Sequence, residues 1–204
     1  MSLDGPEIHA PHKPHRLTGW VEALLSISAL VVSFASIAIA LHHGQIMEKL
    51  VQANSLPYLT IGTSNATPDG QYRLSLDLQN DGVGPAREES LKLRVGDRPV
   101  KSLAELLEVV FGPQEAGPAG SALHLFSNQV RTRFIPGGRS RTVFQSLRTE
   151  ANAAYWTKLD ESRRTWSIEA CYCSVFHECW DVREDQDPRP VKACARDEAR
   201  EFTP

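Results

Sequence analysis

The chain has no G-x-S-x-G elbow, no H-E-x-x-H pair and no glycine-rich phosphate loop with its lysine, so no familiar hydrolase, metalloprotease or nucleotide site is written in it. Strong charge of either sign is also missing: 22 basic against 25 acidic residues leave a net charge of −3. No basic stripe interleaved with aromatics occurs, which argues against nucleic-acid binding. Cysteine is scarce and confined, with all four residues (Cys171, Cys173, Cys179 and Cys194) in the last 34 positions. Charge is absent altogether from residues 23–41, ALLSISALVVSFASIAIAL.

That apolar run is the loudest statement in the sequence. Nineteen residues at a rise of about 1.5 Å each match the ~30 Å hydrocarbon core of a bilayer, which predicts a retained transmembrane helix and makes the lipid bilayer the first expected partner. Two other kinds of segment can be as apolar. A secretory signal has a shorter apolar region of about 7 to 15 residues and a small-x-small cleavage site, whereas His42-His43-Gly44-Gln45 offers no clean one. A buried core helix would be flanked by folded sequence, yet residues 1–18 hold Gly5, Pro6, Pro11 and Pro14 and read as a flexible tail. Within that tail His9, His12 and His15 recur every third residue, the period of a polyproline II helix. Residues 19–55 form the membrane helix and its juxtamembrane extension, with Trp20 as an interfacial anchor and Pro57 ending the helical region. Ser26, Ala29, Ser33, Ser36 and Ala40 fall at 3-4-3-4 spacing, a small-residue stripe of the kind that lets helix backbones approach in lipid, so homo-oligomerisation through the membrane helix is an expectation. Lys13 and Arg16 precede the run while Lys49 alone follows it closely, which favours a cytoplasmic N-terminus and a periplasmic C-terminal domain.

Beyond Pro57 the pattern changes to period two. Thirteen glycines and thirteen prolines punctuate short alternating runs, pointing to a turn-rich β fold. Tyr58-Leu59-Thr60-Ile61 predicts a first strand; in residues 71–78 Tyr72, Leu74, Leu76 and Leu78 share a face; Leu91, Leu93 and Val95 resume the alternation. Ser102-Leu103-Ala104-Glu105 has capping-box spacing and opens a short helix that Gly112-Pro113 ends. Residues 112–122 read as a loose segment, 141–147 as a strand and 149–159 as weakly helical. The fold expected is mainly β: an N-terminal transmembrane α-helix, then an antiparallel immunoglobulin-like β-sandwich over residues 56–182 with one or two short helices. Residues 183–204, rich in Asp, Arg, Glu and Pro, read as a charged, solvated tail. The paired acids Glu88-Glu89 and Asp160-Glu161 read as solvated charges.

The cysteines leave three readings open. Residues 166–173 and 179–182 resemble the arms of a hairpin closed by Val175-Phe176-His177, which sets Cys173 opposite Cys179 within disulfide reach, and Cys194 could return from the tail to Cys171. An even count in an oxidising compartment fits bridging, although four cysteines permit three pairings. Inert buried thiols are the second reading. The third is a metal or redox site made from Cys171, Cys173, His177 and Cys179, whose C-x-C-x3-H-x-C spacing is not that of a standard zinc finger.

The turn Asn80-Asp81-Gly82-Val83-Gly84-Pro85-Ala86 after an alternating strand, the sequence CYCSVFHECW at 171–180 and the N-terminal anchor resemble uncharacterised single-pass membrane proteins of Gram-negative bacteria. The resemblance spans the anchor and most of the β region and implies an inner-membrane location and an immunoglobulin-like domain, but no reaction and no cofactor. The expected function is a non-enzymatic, membrane-tethered interaction or accessory module with a protein partner. A cytoplasmic thiol or metal sensor is the alternative.

Overall fold

The computed structural model describes residues 16–127 and 134–204. The N-terminal tail with its three spaced histidines lies largely outside the described residues. The chain divides into two compact units, with the boundary between Leu50 and Val51.

The first unit is carried by α1 (Arg16–Ala53). Its apolar side chains, from Trp20 and Leu24 to Ile39 and Leu41, are exposed, with no protein surface over them. A helix of this length and composition could serve as an anchor or as a signal sequence. Several of its serine hydroxyls are satisfied within the helix: Ser26 donates to the Glu22 carbonyl at 2.8 Å, Ser33 to Ala29 at 2.7 Å and Ser36 to Val32 at 2.8 Å. This back-bonding keeps the hydroxyls of the small-residue stripe compatible with an apolar surrounding.

The second unit holds two antiparallel sheets packed face to face. Its elements in chain order are β1 (Leu59–Ser64), β2 (Arg73–Asn80), β3 (Ala86–Val95), β4 (Arg98–Val100), α2 (Leu103–Phe111), α3 (Ala116–Leu123), β5 (Phe126–Ser127), β6 (Phe134–Ile135), β7 (Arg139–Leu147), α4 (Ala153–Ser162), β8 (Trp166–Cys173), β9 (Cys179–Arg183) and β10 (Arg189–Val191). One sheet runs β1-β2-β7-β5; the other runs β10-β9-β8-β3-β4, with β6 also paired to β3. Period-two alternation drives the packing. Leu74, Leu76 and Leu78 of β2 are fully buried, and on β8 Trp166, Ile168, Ala170 and Tyr172 face the core, which sends Ser167, Glu169, Cys171 and Cys173 to the opposite face.

Two bulges break the alternation. On β7 the register slips between Leu76↔Phe144 and Asp77↔Thr142, so the extra residue Val143 and its neighbour Phe144 are both buried. On β3 the slip lies between Glu88 and Ser90. It turns Glu88 inward, where it pairs with Arg141 of β7 across the sandwich. Glu88 is therefore a buried ion-pair partner and not the solvated charge its sequence context predicts, because the bulge reverses the faces of β3 upstream of Leu91.

Other expectations change as well. Tyr72 lies just outside β2 and is exposed, its ring edge-on to Trp156 at 6.1 Å. Among the described residues the β domain holds three short α-helices, where one or two are expected. The added one is α3, where Gly117 and Pro118 occupy the first turn, so proline's missing N–H costs nothing there. Ala119 and Leu123 are fully buried, and Gly120 lies against the Leu107 side chain of α2. In α2 the N-cap half of the capping box forms, Ser102 Oγ accepting from Glu105 N at 3.2 Å, while Glu105 Oε2 reaches one residue past the cap and accepts from Lys101 N at 2.8 Å.

The largest correction concerns residues 183–204. They do not form a free tail but complete the domain. β10 pairs with β9, Cys194 is bonded to Cys171, and Phe202 is only 4% exposed, with its ring 6.2 Å from that of Phe144. Glu201 accepts from Ser90 Oγ at 2.7 Å and Leu91 N at 3.1 Å, while Phe202 N donates to Leu91 O at 2.7 Å and Thr203 N to Lys101 O at 2.8 Å. Charge in the composition masks two strong attachment points, one covalent and one aromatic.

Candidate functional site

The cysteine cluster is built on the outward face of the larger sheet. β8 and β9 are joined by a three-residue loop: Ser174 N donates to Glu178 O at 2.7 Å, His177 N donates to Ser174 O at 3.2 Å, and His177 takes the left-handed conformation with φ 65°. A turn followed by one left-handed residue is a regular three-residue hairpin connection. The Ser174 hydroxyl, buried, accepts from Phe176 N at 3.1 Å and Glu178 N at 3.3 Å. This geometry sets Cys173 directly opposite Cys179, with Cα atoms 4.0 Å apart, and the two are joined as a disulfide.

A second disulfide joins Cys171 to Cys194, with Cα atoms 5.6 Å apart. Because Cys171 and Cys173 are two residues apart on one strand, they share a face, and the returning C-terminal segment lies over both. Cys171 and Cys173 are 4% and 3% exposed, whereas Cys194 is half-buried. The two bonds touch: Cys173 Sγ lies 3.7 Å from Cys194 Sγ. The structure thus brings all four predicted cysteines into one cluster. The sulfurs of Cys173, Cys179 and Cys194 lie within 4.8 Å of one another, and His177 is not part of that group. The proposed ligand set Cys171, Cys173, His177 and Cys179 is therefore not what comes together. All four sulfurs are oxidised, and a disulfide sulfur offers no thiolate to a metal.

Beside the cluster the same face carries a groove of about 450 Å³ lined by Lys92, Arg94, Asp97, Glu169, Arg183 and Arg200. Two of its four basic residues pair within it, Arg94 with Asp97 at 3.3 Å and Arg183 with Glu169 at 3.5 Å, while Arg200 pairs with Asp197 at 3.4 Å and Lys92 Nζ donates to Ala195 O at 3.4 Å. Neighbouring Asp181 has its carboxyl pushed up by partial burial and then by Glu169, with Lys92 and Arg183 opposing.

A second polar centre holds the N-terminal entry to the domain. Asn80 is fully buried and uses all of its amide: Oδ1 accepts from Tyr58 N and Gly82 N, both at 3.1 Å, and Nδ2 donates to Gly84 O at 2.8 Å and Ile135 O at 2.9 Å. Val83 N and Gly84 N both donate to Leu56 O, at 3.2 and 3.3 Å. The close approach explains the glycines, since a Cβ on Gly82 would meet the backbone of residues 56–58 and one on Gly84 would strike Ser55. The motif at 80–86 is thus a clamp on the segment entering the β domain. Its turn chemistry is legible in the sequence, but its partner is not, because that partner lies more than twenty residues upstream.

The helix stripe of Ser26, Ala29, Ser33, Ser36 and Ala40 is exposed along α1. Comparison with known protein families and with curated proteins finds no match.

Proposed function

We propose that the chain is a non-enzymatic, membrane-tethered interaction module. In this reading α1 spans the inner membrane with the N-terminus in the cytoplasm, and the β domain is presented to a protein partner in the periplasm. The observation that carries it is the presence in one chain of two disulfides and an uncovered apolar helix, since disulfides persist in oxidising compartments and are rare in the bacterial cytosol. The immunoglobulin-like assignment is supported by strand order. β1-β2-β7-β5 and β9-β8-β3 correspond to the A-B-E-D and G-F-C orders of that sandwich, although its inter-sheet disulfide has no counterpart, because both bonds lie on an outer face.

The non-enzymatic part is supported by how the buried polar groups are used. Besides Asn80, Ser146 Oγ donates to Leu123 O at 2.6 Å, Asn152 ties Leu147 O to Thr149 N, Ser90 holds Glu201, and Glu88 pairs with Arg141. Each serves the fold. The likeness to single-pass proteins of Gram-negative bacteria belongs to the same proposal.

The test is topological. Intact cells are treated with a membrane-impermeant maleimide with and without prior reductant. Labelling of the four cysteines from the outside, only after reduction, is the expected result. Labelling only from the cytoplasmic side without reductant would replace this reading with the second one, a cytoplasmic thiol or metal sensor, which the 4.8 Å grouping of Cys173, Cys179 and Cys194 would then favour. Turnover of substrate by residues 51–204 in a broad hydrolase screen would remove the non-enzymatic assignment.

A further inference from the structure

We propose that the two disulfides form a single exchange-competent redox site, which accepts two electrons from a dithiol and moves one bond from Cys173–Cys179 to Cys173–Cys194. The inference goes beyond the tethered-module reading and does not depend on which side of the membrane the domain occupies.

Contact and access decide the direction. Cys194 is the half-buried member of the cluster, whereas Cys171, Cys173 and Cys179 are 4%, 3% and 7% exposed, so an incoming thiolate meets Cys194 first. It attacks Cys194 Sγ, the Cys171–Cys194 bond breaks, and the electron pair leaves on Cys171, which is protonated. The second thiol of the reductant then displaces Cys194 as a thiolate and leaves as its own disulfide. In the oxidised cluster that sulfur lies 3.7 Å from Cys173 Sγ, van der Waals contact for two sulfurs, and rotation of the Cys194 side chain, freed from Cys171, is what brings it into line with the Cys173–Cys179 bond. Its attack forms Cys173–Cys194 and expels Cys179 as a thiolate, which takes a proton from solvent at the hairpin end. One protein disulfide is consumed, one reductant disulfide is made, and Cys171 and Cys179 finish as thiols.

The tail does not drift away when its first bond opens. β10 holds residues 189–191 to β9 on one side of Cys194, and Phe202 and Glu201 hold the chain on the other. Cys194 therefore remains beside Cys173 at high effective concentration, the condition under which an intramolecular exchange outruns a second external attack. The product keeps the C-terminal segment clipped to β8 while it frees the lock across the β8–β9 hairpin, whose tip carries the exposed Val175 and Phe176. A dithiol oxidoreductase of thioredoxin-like chemistry is the partner class this site fits.

The full-length protein in detergent is treated with less than one equivalent of dithiothreitol, quenched in acid at successive times and alkylated. Disulfide-linked peptides of the two-electron-reduced species are then mapped by mass spectrometry. The Cys173–Cys194 peptide, with Cys171 and Cys179 alkylated, is expected to appear and grow with quench time. Its absence at every time, with only native linkages retained, overturns the proposal. The variant Cys171→Ser supplies an independent reading, because it leaves Cys194 a free thiol beside an intact Cys173–Cys179 bond. Alkylation at Cys179 is expected in that variant; alkylation confined to Cys194 overturns the proposal equally.

Discussion

The two disulfides close nested loops of different length, and that difference sets an order of stabilities. The inner bond joins residues 6 apart and the outer one residues 23 apart. Chain entropy of about −2.1 − 1.5R ln n cal/mol/K assigns the inner loop about 2.2 kcal/mol and the outer, taken alone, about 3.4 kcal/mol at 25 °C. The loops share residues, so with the inner bond closed the outer circuit shortens to roughly 18 links and contributes about 3.2 kcal/mol. Opening the outer bond should therefore cost about 1 kcal/mol more than opening the inner one. The paired variants Cys171→Ala/Cys194→Ala and Cys173→Ala/Cys179→Ala in residues 51–204, which form their own compact unit, separate the two by urea unfolding. The inner pair removes two buried strand sulfurs, Cys173 and Cys179, and the outer pair one, Cys171, so the burial loss is larger for the inner pair and narrows the difference in stability. The denaturant slope should rise more in the outer variant, whose unfolded chain is less confined. A larger loss for the inner pair, together with a denaturant slope that rises no more in the outer variant than in the inner one, would refute the loop-entropy reasoning.

Three other outcomes follow from named contacts. Asn80→Asp removes the two donations to Gly84 O and Ile135 O, leaving two buried carbonyls unpaired, and should lower stability by about 2 to 4 kcal/mol in thermal or urea melts. Phe202→Ala should cost about 3 to 5 kcal/mol and strip hydrogen-exchange protection from the amides of Phe202 and Thr203, whereas an unchanged melt would mean the C-terminal segment is not part of the core. Burial raises the Tyr172 phenol from 10.0 to about 12, so the unfolded chain loses that proton first and stability should fall between about pH 10 and 12. Tyr172→Phe should flatten that alkaline limb while leaving the neutral and acid profile in shape.

Where one residue's periodicity decided its environment, the sequence was readable. Leu74, Leu76 and Leu78 alternate without interruption and are all fully buried, and the Ser102 box announces α2 because both halves of the cap lie within four residues. Bulges defeated the same logic at Glu88, since a single extra residue reverses every face beyond it. The segment of α3 contains Gly117, Pro118 and Gly120, poor helix formers, and its helix is held by burial of Ala119 and Leu123 that no local pattern announces. At the C-terminus Val191 and Phe202 are the large apolar side chains among 22 residues, too few to outweigh the charge, although the isolated phenylalanine was a usable signal. The cysteines were placed near one another by spacing and hairpin logic, while contact between the two bonds depends on the path of the returning chain and had no local trace.

The clamp around Asn80 has a mechanical consequence. Any tension carried along the polypeptide from α1 reaches the β domain at residues 55–58, before it reaches the first rung of β1 at Leu59. There the load divides: Leu56 O draws on two amides of the 82–84 turn, and Tyr58 N draws on a side chain that also grips Ile135, next to β7. A pull would thus be shared between the ends of several strands instead of peeling β1 from β2 one pair at a time. The 80–86 turn acts as a strain relief, of the kind fitted where a cable enters its housing.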